Sequence, residues 1–163
     1  MAREAAEADR GRRPAQRHRP GRPALIVYLD TSAFIKLLVP EPGAAEVAGA
    51  WLGADRRVSS LLLYPEARAA LARALRAGRL DPHRALTARR RVEALWAALD
   101  RVELTEALAQ RAGDLAERCR LRGYDAVHLA SLEHLGRDDT VLVSADEELL
   151  HAAGTLGFMT SSA

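Results

Sequence analysis

Val27-Tyr28-Leu29-Asp30-Thr31-Ser32-Ala33-Phe34 is the stretch that decides the fold. An apolar run over residues 24–29 ends abruptly in a carboxylate and two hydroxyl residues. A helical pattern follows at once in Ala33, Phe34, Leu37 and Leu38. The run is too short for a helix, and its Ile-Val-Tyr core reads as a strand buried on both faces. Thr31 or Ser32 is the expected N-cap of the helix that follows. Asp30 then stands at the carboxyl end of a parallel strand, where open α/β sheets place their chemistry.

Outward from that strand, the pattern alternates. A short helix over 34–39 is stopped by Pro40 and Pro42, and a second over 44–52 lies between Gly43 and Gly53. A strand is expected over 57–60, then a strong helix over 61–77 closed by Gly78. Asp81-Pro82 is an N-cap with proline at the first helical position, and Val92, Leu95, Trp96 and Leu99 follow at core spacing. A third strand over 101–104 leads to Thr105, the cap of a helix whose apolar stripe is Leu108, Ala112, Leu115 and Cys119. A helix over 124–135, a strand over 140–143, a last helix to Ala153 and an edge strand over 158–160 complete the chain. Strands alternating with helices predict a three-layer α/β fold around a mainly parallel sheet of four to five strands.

With 163 residues the chain is long enough for one domain with a sizeable core. Hydrophobic content of 48% and charged content of 28% are ordinary for a globular protein. No segment reaches membrane-spanning length, so no membrane partner is expected. The single cysteine, Cys119, excludes an internal disulfide and fits a reducing compartment such as the cytoplasm. Residues 1–23 hold seven arginines against three acids, a net of +4, which leaves −2 for the rest of a chain whose formal charge is +2. These residues lack apolar periodicity and read as a disordered Arg-rich tail, with an RNA-binding arm as the alternative, and residues 24–163 as the folded domain. The mildly acidic body argues against a broad phosphate-binding surface.

Four carboxylates stand apart from the solvated charges. Asp30 and Asp146 follow apolar strands, Glu66 lies in the first turns of the helix after the second strand, and Asp125 opens a helix. Right-handed crossovers put strand ends and the following helix starts on one edge of the sheet, where all four acids can meet. At about 4 Å and an effective dielectric near 20, each like-charge pair costs on the order of 4 kcal/mol. Lys36, the only lysine, cannot neutralise them alone. Oxygen donors without a His or Cys cluster favour Mg²⁺ or Mn²⁺ over zinc, and such ions among carboxylates suit in-line phosphodiester hydrolysis. The bland reading has each acid as a helix cap, a helix-terminal charge or, for Glu66, a partner of Arg68 or Arg73.

The ordered set resembles the PIN-domain nucleases, and especially the VapC-type toxins of toxin–antitoxin modules. The resemblance lies in Tyr28-Leu29-Asp30-Thr31-Ser32-Ala33, in Glu66 within Tyr64-Pro65-Glu66-Ala67-Arg68, in Gly123-Tyr124-Asp125-Ala126-Val127-His128, and in Val143-Ser144-Ala145-Asp146. It spans about residues 26–158. It implies a PIN-like nuclease domain over 24–163 and a Mg²⁺- or Mn²⁺-dependent endoribonuclease. Asp30, Glu66, Asp125 and Asp146 would be its catalytic, metal-binding acids, with Thr31 and Ser144 as hydroxyls beside them. It further implies a homodimer and a cognate small antitoxin that obstructs the site. Three features depart from the family pattern: Pro65 beside Glu66, which is expected to shift that helix start, the Arg-rich tail, and Ser144 in place of the commoner threonine.

Other residues keep two readings. Arg68 and Arg73, with Arg76 and Arg79, either guide an RNA backbone or form a solvated face. His128 either aids catalysis or packs a helix. Trp51 either covers a groove or fills core. Phosphatases with an Asp nucleophile need a second acid at the position of Ser32 and a lysine well downstream, and no lysine follows Lys36 here. No Gly-rich Lys-Ser/Thr loop is present, which excludes a P-loop hydrolase. The remaining alternative is a PIN-like scaffold that binds RNA or a partner without cutting.

Overall fold

A computed structural model describes residues 24–163; the Arg-rich tail lies outside the described residues. Five parallel strands form one sheet: β1 (Ile26–Leu29), β2 (Arg56–Ser60), β3 (Asp100–Val102), β4 (Thr140–Ser144) and β5 (Met159–Ser162), in the order β3-β2-β1-β4-β5. The helices between them are α1 (Thr31–Lys36), α2 (Ala44–Gly53), α3 (Leu63–Arg76), α4 (Pro82–Ala97), α5 (Glu106–Cys119), α6 (Gly123–Leu135) and α7 (Glu147–Thr155).

The chain moves from β1 outward to β3, then crosses back to β4 and on to β5. A right-handed crossover places its helices on one face when the chain moves one way and on the other face when it reverses. Two cores result. Val27 and Leu29 of β1 pack with Phe34, Val47, Leu63, Leu71 and Val92 of α1–α4. Tyr28, pointing the other way, packs with Leu115, Leu129, Leu132 and Leu149 of α5–α7. This alternation along β1 is the period-2 signature of a strand covered on both faces.

Local chemistry explains most element ends. Asp81 accepts a bond from the Arg84 N–H at 2.8 Å, and Thr105 from the Leu108 N–H at 3.2 Å, as caps should. Gly43 before α2 and Gly78 after α3 both adopt positive φ, 85° and 69°, which a side chain would resist. Cys119 is half-buried against the α5–α7 core, and Trp96 stacks at a tilt on Tyr64, 5.4 Å between ring centres.

The sequence expectation fails at two starts. The cap of α1 is Asp30 itself, whose Oδ1 accepts from the Ala33 N–H at 2.9 Å, so the helix begins at Thr31 and not beyond it. α3 begins at Leu63, two residues after the expected start, with Pro65 inside its first turn. Pro65 occupies the third helical position, where an N–H would have no partner within the helix, and the first such bond comes from Glu66 to the Leu62 carbonyl at 3.2 Å.

Candidate active site

β1 and β4 are neighbours, yet the connections leaving them run in opposite directions. The gap beyond their carboxyl ends is therefore the switch point of the sheet, the place where a crevice opens in this architecture. Leu29 pairs with Val143, which sets Asp30 beside the Ser144-Ala145-Asp146 turn. β2, on the other side of β1, delivers Glu66 through the first turn of α3. Asp125 enters from the first turn of α6. All four acids occupy this one edge.

Each acid has its own surroundings. Asp30 is buried and its Oδ1 takes two bonds, from the Ala33 N–H and from the Ser32 hydroxyl, both at 2.9 Å. Among the described residues nothing hydrogen-bonds its Oδ2. Asp146 caps α7 through Oδ1, which accepts from the Leu149 N–H at 3.0 Å. Glu66 directs Oε2 at the Thr31 hydroxyl, 2.6 Å, and at His128 Nε2, 2.9 Å. Burial raises its pKa, but the bonds and charge of His128, Thr31 and Arg73 outweigh that and hold it below the ordinary carboxylate range. Asp125 goes the other way. Burial first, and the charge of Asp146 next, push it up to about 6, and Arg122 at 3.8 Å offsets this only in part.

No three carboxylate, imidazole or thiol groups among the described residues form a ready ligand set for one ion. The acids share the edge, but Asp30 and Asp146 each commit one oxygen to a helix cap and Glu66 commits one to Thr31 and His128. The donors still suit a hard divalent cation in chemical type: they are carboxylate oxygens, and burial, then the charge of Asp146, raise Asp125 more than Arg122 offsets. Lys36 does not contribute, because its Nζ donates to the carbonyls of Pro42 and Ala163.

The two hydroxyl residues also have defined places. Thr31 donates to Glu66, as above, and Ser144 Oγ accepts from the Asp146 N–H at 2.9 Å. Arg68 is held by the Tyr64 hydroxyl at 2.7 Å and by Glu93 at 3.2 Å, whereas Arg73 is exposed on the same helix. Three neighbours take part in contacts that the sequence does not predict, though it already leaves His128 a catalytic reading and Ser32 a capping one. Ser32 joins the two acidic turns by donating to Asp30 and accepting from the Ala145 N–H at 2.8 Å. His128 bonds Glu66, and buried Tyr28 bonds His128 Nδ1 at 2.9 Å. Spacing along the chain carries no signal for contacts of this range. The one hint is His128 standing three residues after Asp125, one helical turn along.

A parallel sheet with acids gathered at its switch point defines a class, and the sequence matches the PIN domain over residues 27–155. The chain is 46% identical, over 132 residues, to Ribonuclease VapC49 of Mycobacterium tuberculosis, a match covering 79% of this chain and 92% of that relative. This chain belongs to the PIN-domain family, among its VapC-type members. Among solved structures, it resembles the sarcin–ricin loop cleaving toxin VapC20 of Mycobacterium tuberculosis, with TM-score 0.62, 17% identity, and coverage of 82% of this chain and 96% of that one. It also resembles a toxin–antitoxin complex from Klebsiella pneumoniae, with TM-score 0.53, 18% identity, and coverage of 74% and 86%. At those identities the likeness is one of fold.

Proposed function

We propose that this chain is a Mg²⁺- or Mn²⁺-dependent endoribonuclease and the toxin of a toxin–antitoxin pair, acting on RNA phosphodiester bonds in the cytoplasm. One observation carries the reading. Asp125, with Asp146 beside it, sits buried at the switch point and is pushed up to about 6, with Arg122 at 3.8 Å offsetting this only in part. A perturbed carboxylate in that position is a functional-site signature. Asp30, Asp125 and Asp146, with Glu66, are the residues that would hold the ion. When bound, such an ion lowers the pKa of a water and offsets charge on the departing oxygen.

The chain's own residues then do the rest. Ser32 and Ser144 hold the Asp30 and Asp146 turns together, with their hydroxyls 3.4 Å apart. Thr31 fixes Glu66. Arg73, exposed one to two turns beyond Glu66, is placed to meet an RNA phosphate, whereas Arg68 is the weaker candidate because Glu93 already pairs with it. The relatives' name, ribonuclease, supports RNA as the substrate.

A partner follows from the groove between the end of α1, α3 and α4, a cavity of about 720 Å³. Its floor is apolar, including Leu38, Leu71 and Leu80, and Arg73, Arg79 and Arg84 stand along it. An amphipathic acidic segment fits that combination, and the likeness to a toxin–antitoxin complex supports a small antitoxin as the partner. Trp51 is not part of this groove. It packs into the α1–α4 core with Arg57 over its ring. A homodimer is the expected working form, on the family resemblance alone.

The test is cleavage of total RNA by purified protein with Mg²⁺ or Mn²⁺ and with chelator, beside Asp30→Asn and Asp125→Asn. Metal-dependent cutting lost in both folded variants supports the reading. Equal cutting by wild type and variants points to a contaminant, and no cutting with no ion binding by calorimetry favours the non-catalytic scaffold.

A further inference from the structure

His128 has both ring nitrogens engaged and is buried at 2% exposure. Nε2 lies 2.9 Å from Glu66 Oε2, and Nδ1 lies 2.9 Å from the Tyr28 hydroxyl. Four elements are thereby linked: Tyr28 on β1, His128 on α6, Glu66 on α3, and Thr31 on α1, whose hydroxyl donates to the same Oε2 at 2.6 Å. Two donors on one carboxylate oxygen fix that oxygen in space. Because the carboxylate is planar, they also fix the direction of the other, Oε1, which accepts from no described residue.

The hydrogens in this chain have one arrangement that satisfies every partner with a neutral ring. Glu66 can only accept, so His128 Nε2 carries the proton and donates. Nδ1 is then the acceptor, and the Tyr28 O–H supplies its bond. Tyr28 is fully buried, with its hydroxyl 2.9 Å from Nδ1. Any buried histidine needs its ring nitrogens paired; what marks this one is that its Nε2 partner is an acid of the sheet edge.

We propose that His128 is a positioning residue: with its tautomer set by Glu66 and its ring held through Nδ1 by Tyr28, it holds Glu66 so that Oε1 is presented to the cation at the acidic edge. This rests on the metal-dependent reading of the site. His128 also stands three residues after Asp125 on α6, so the same turn that supplies one acid orients another.

Two substitutions separate the bonds. Gln at 128 places an amide N–H near the Nε2 position and keeps the donation to Glu66. Asn places its amide near Nδ1 and loses that donation. The readout is Mn²⁺ affinity by calorimetry, with thermal melting to confirm folding and ¹⁵N NMR of the wild-type ring. His128→Asn is expected to weaken Mn²⁺ binding at least about tenfold, the usual cost of losing an outer partner of a ligand. His128→Gln should recover to within about threefold of wild type, and Tyr28→Phe should fall between them. The wild-type spectrum should show the Nε2–H tautomer. An Nδ1–H tautomer in the wild type overturns the assignment. So do equal losses in the Gln and Asn variants, or unchanged Mn²⁺ affinity in Asn with only a lower melting temperature. In those cases metal-dependent cleavage by the wild type leaves the nuclease reading standing. A wild type that binds no Mn²⁺ overturns both.

Discussion

Asp30 and Asp81 do the same local job in different regions of the molecule. Each precedes a helix, and each accepts from the N–H three residues on, at 2.9 Å and 2.8 Å. Asp81 is exposed at the α3–α4 turn, where the Arg84 N–H and guanidinium hold its pKa below the ordinary range. Asp30 is buried at the switch point, with Asp146, Glu66 and Asp125 on the same edge. A helix cap and a functional acid are therefore not competing descriptions. A cap uses one carboxylate oxygen, and the neighbourhood decides what the second oxygen can do.

The sharpest way to break this comparison is to neutralise the acids while keeping the cap. Asn caps a helix about as well as Asp, so Asp30→Asn should leave melting almost unchanged. Loss of its charge from the edge should lower Mn²⁺-dependent RNA cleavage by on the order of a thousandfold, the scale of several kcal/mol of charge stabilisation. Asp125→Asn should do the same. Cleavage retained to within tenfold in either folded variant would falsify the assignment of the edge as the reactive site.

How much of this was legible in the sequence follows from range. Asp30, Glu66, Asp125 and Asp146 are each flagged by local pattern, an apolar strand or a helix start, and the right-handed crossover rule carries those local facts to one edge. The parallel sheet was legible for the same reason. What is not local was not legible. Tyr28 and His128 are 100 residues apart, Glu66 and His128 are 62 apart, and Ser32 and Ala145 are 113 apart. No periodicity encodes such pairs. The sequence offers Asp30, Thr31 and Ser32 alike as caps of α1, because all three residue types cap well, and only backbone geometry selects Asp30.

Ser32 offers the next largest effect. Its hydroxyl donates to Asp30 and accepts from the Ala145 N–H, so it pins one acidic turn against the other. Ser32→Ala should remove both bonds and leave the Ala145 N–H to water, at a cost of about 1 kcal/mol. Cleavage should fall about tenfold through misplaced acids. An Asp81 region has no counterpart to this residue, so a Ser32→Ala variant that melts lower but cuts at the wild-type rate would reduce Ser32 to a structural hydroxyl.

The pH dependence of stability gives a smaller, cleaner contrast. Asp125 titrates near 6 in the folded chain against an ordinary value of 3.8. The folded state therefore binds this proton more tightly than the unfolded state. The resulting stability is full below the unfolded value and is lost as pH rises through about 6. In chelator, wild type should melt higher at about pH 5 than at about pH 7.5, relative to Asp125→Asn measured alongside. Glu66, Asp81 and Glu133 are all depressed acids, so their stability is lost only as pH falls below the ordinary carboxylate range, outside that window. Parallel curves for the two proteins would mean that Asp125 is not strained by its surroundings.

Asp81 completes the comparison with the smallest effect. Asp81→Ala removes the α4 cap and its pairing with Arg84, so melting should fall by a few degrees, as for other lost caps. Asp81→Asn should restore most of that loss, because the capping oxygen returns. Both variants should cut RNA at the wild-type rate, since the charge removed stands in solvent at the α3–α4 turn and not among the acids of the sheet edge. A cleavage defect in Asp81→Asn, with melting restored, would show that charge at this turn reaches the reaction, through the groove that Arg79 and Arg84 line. The distinction between the two caps would then lie in which step each serves, and not in whether it serves one.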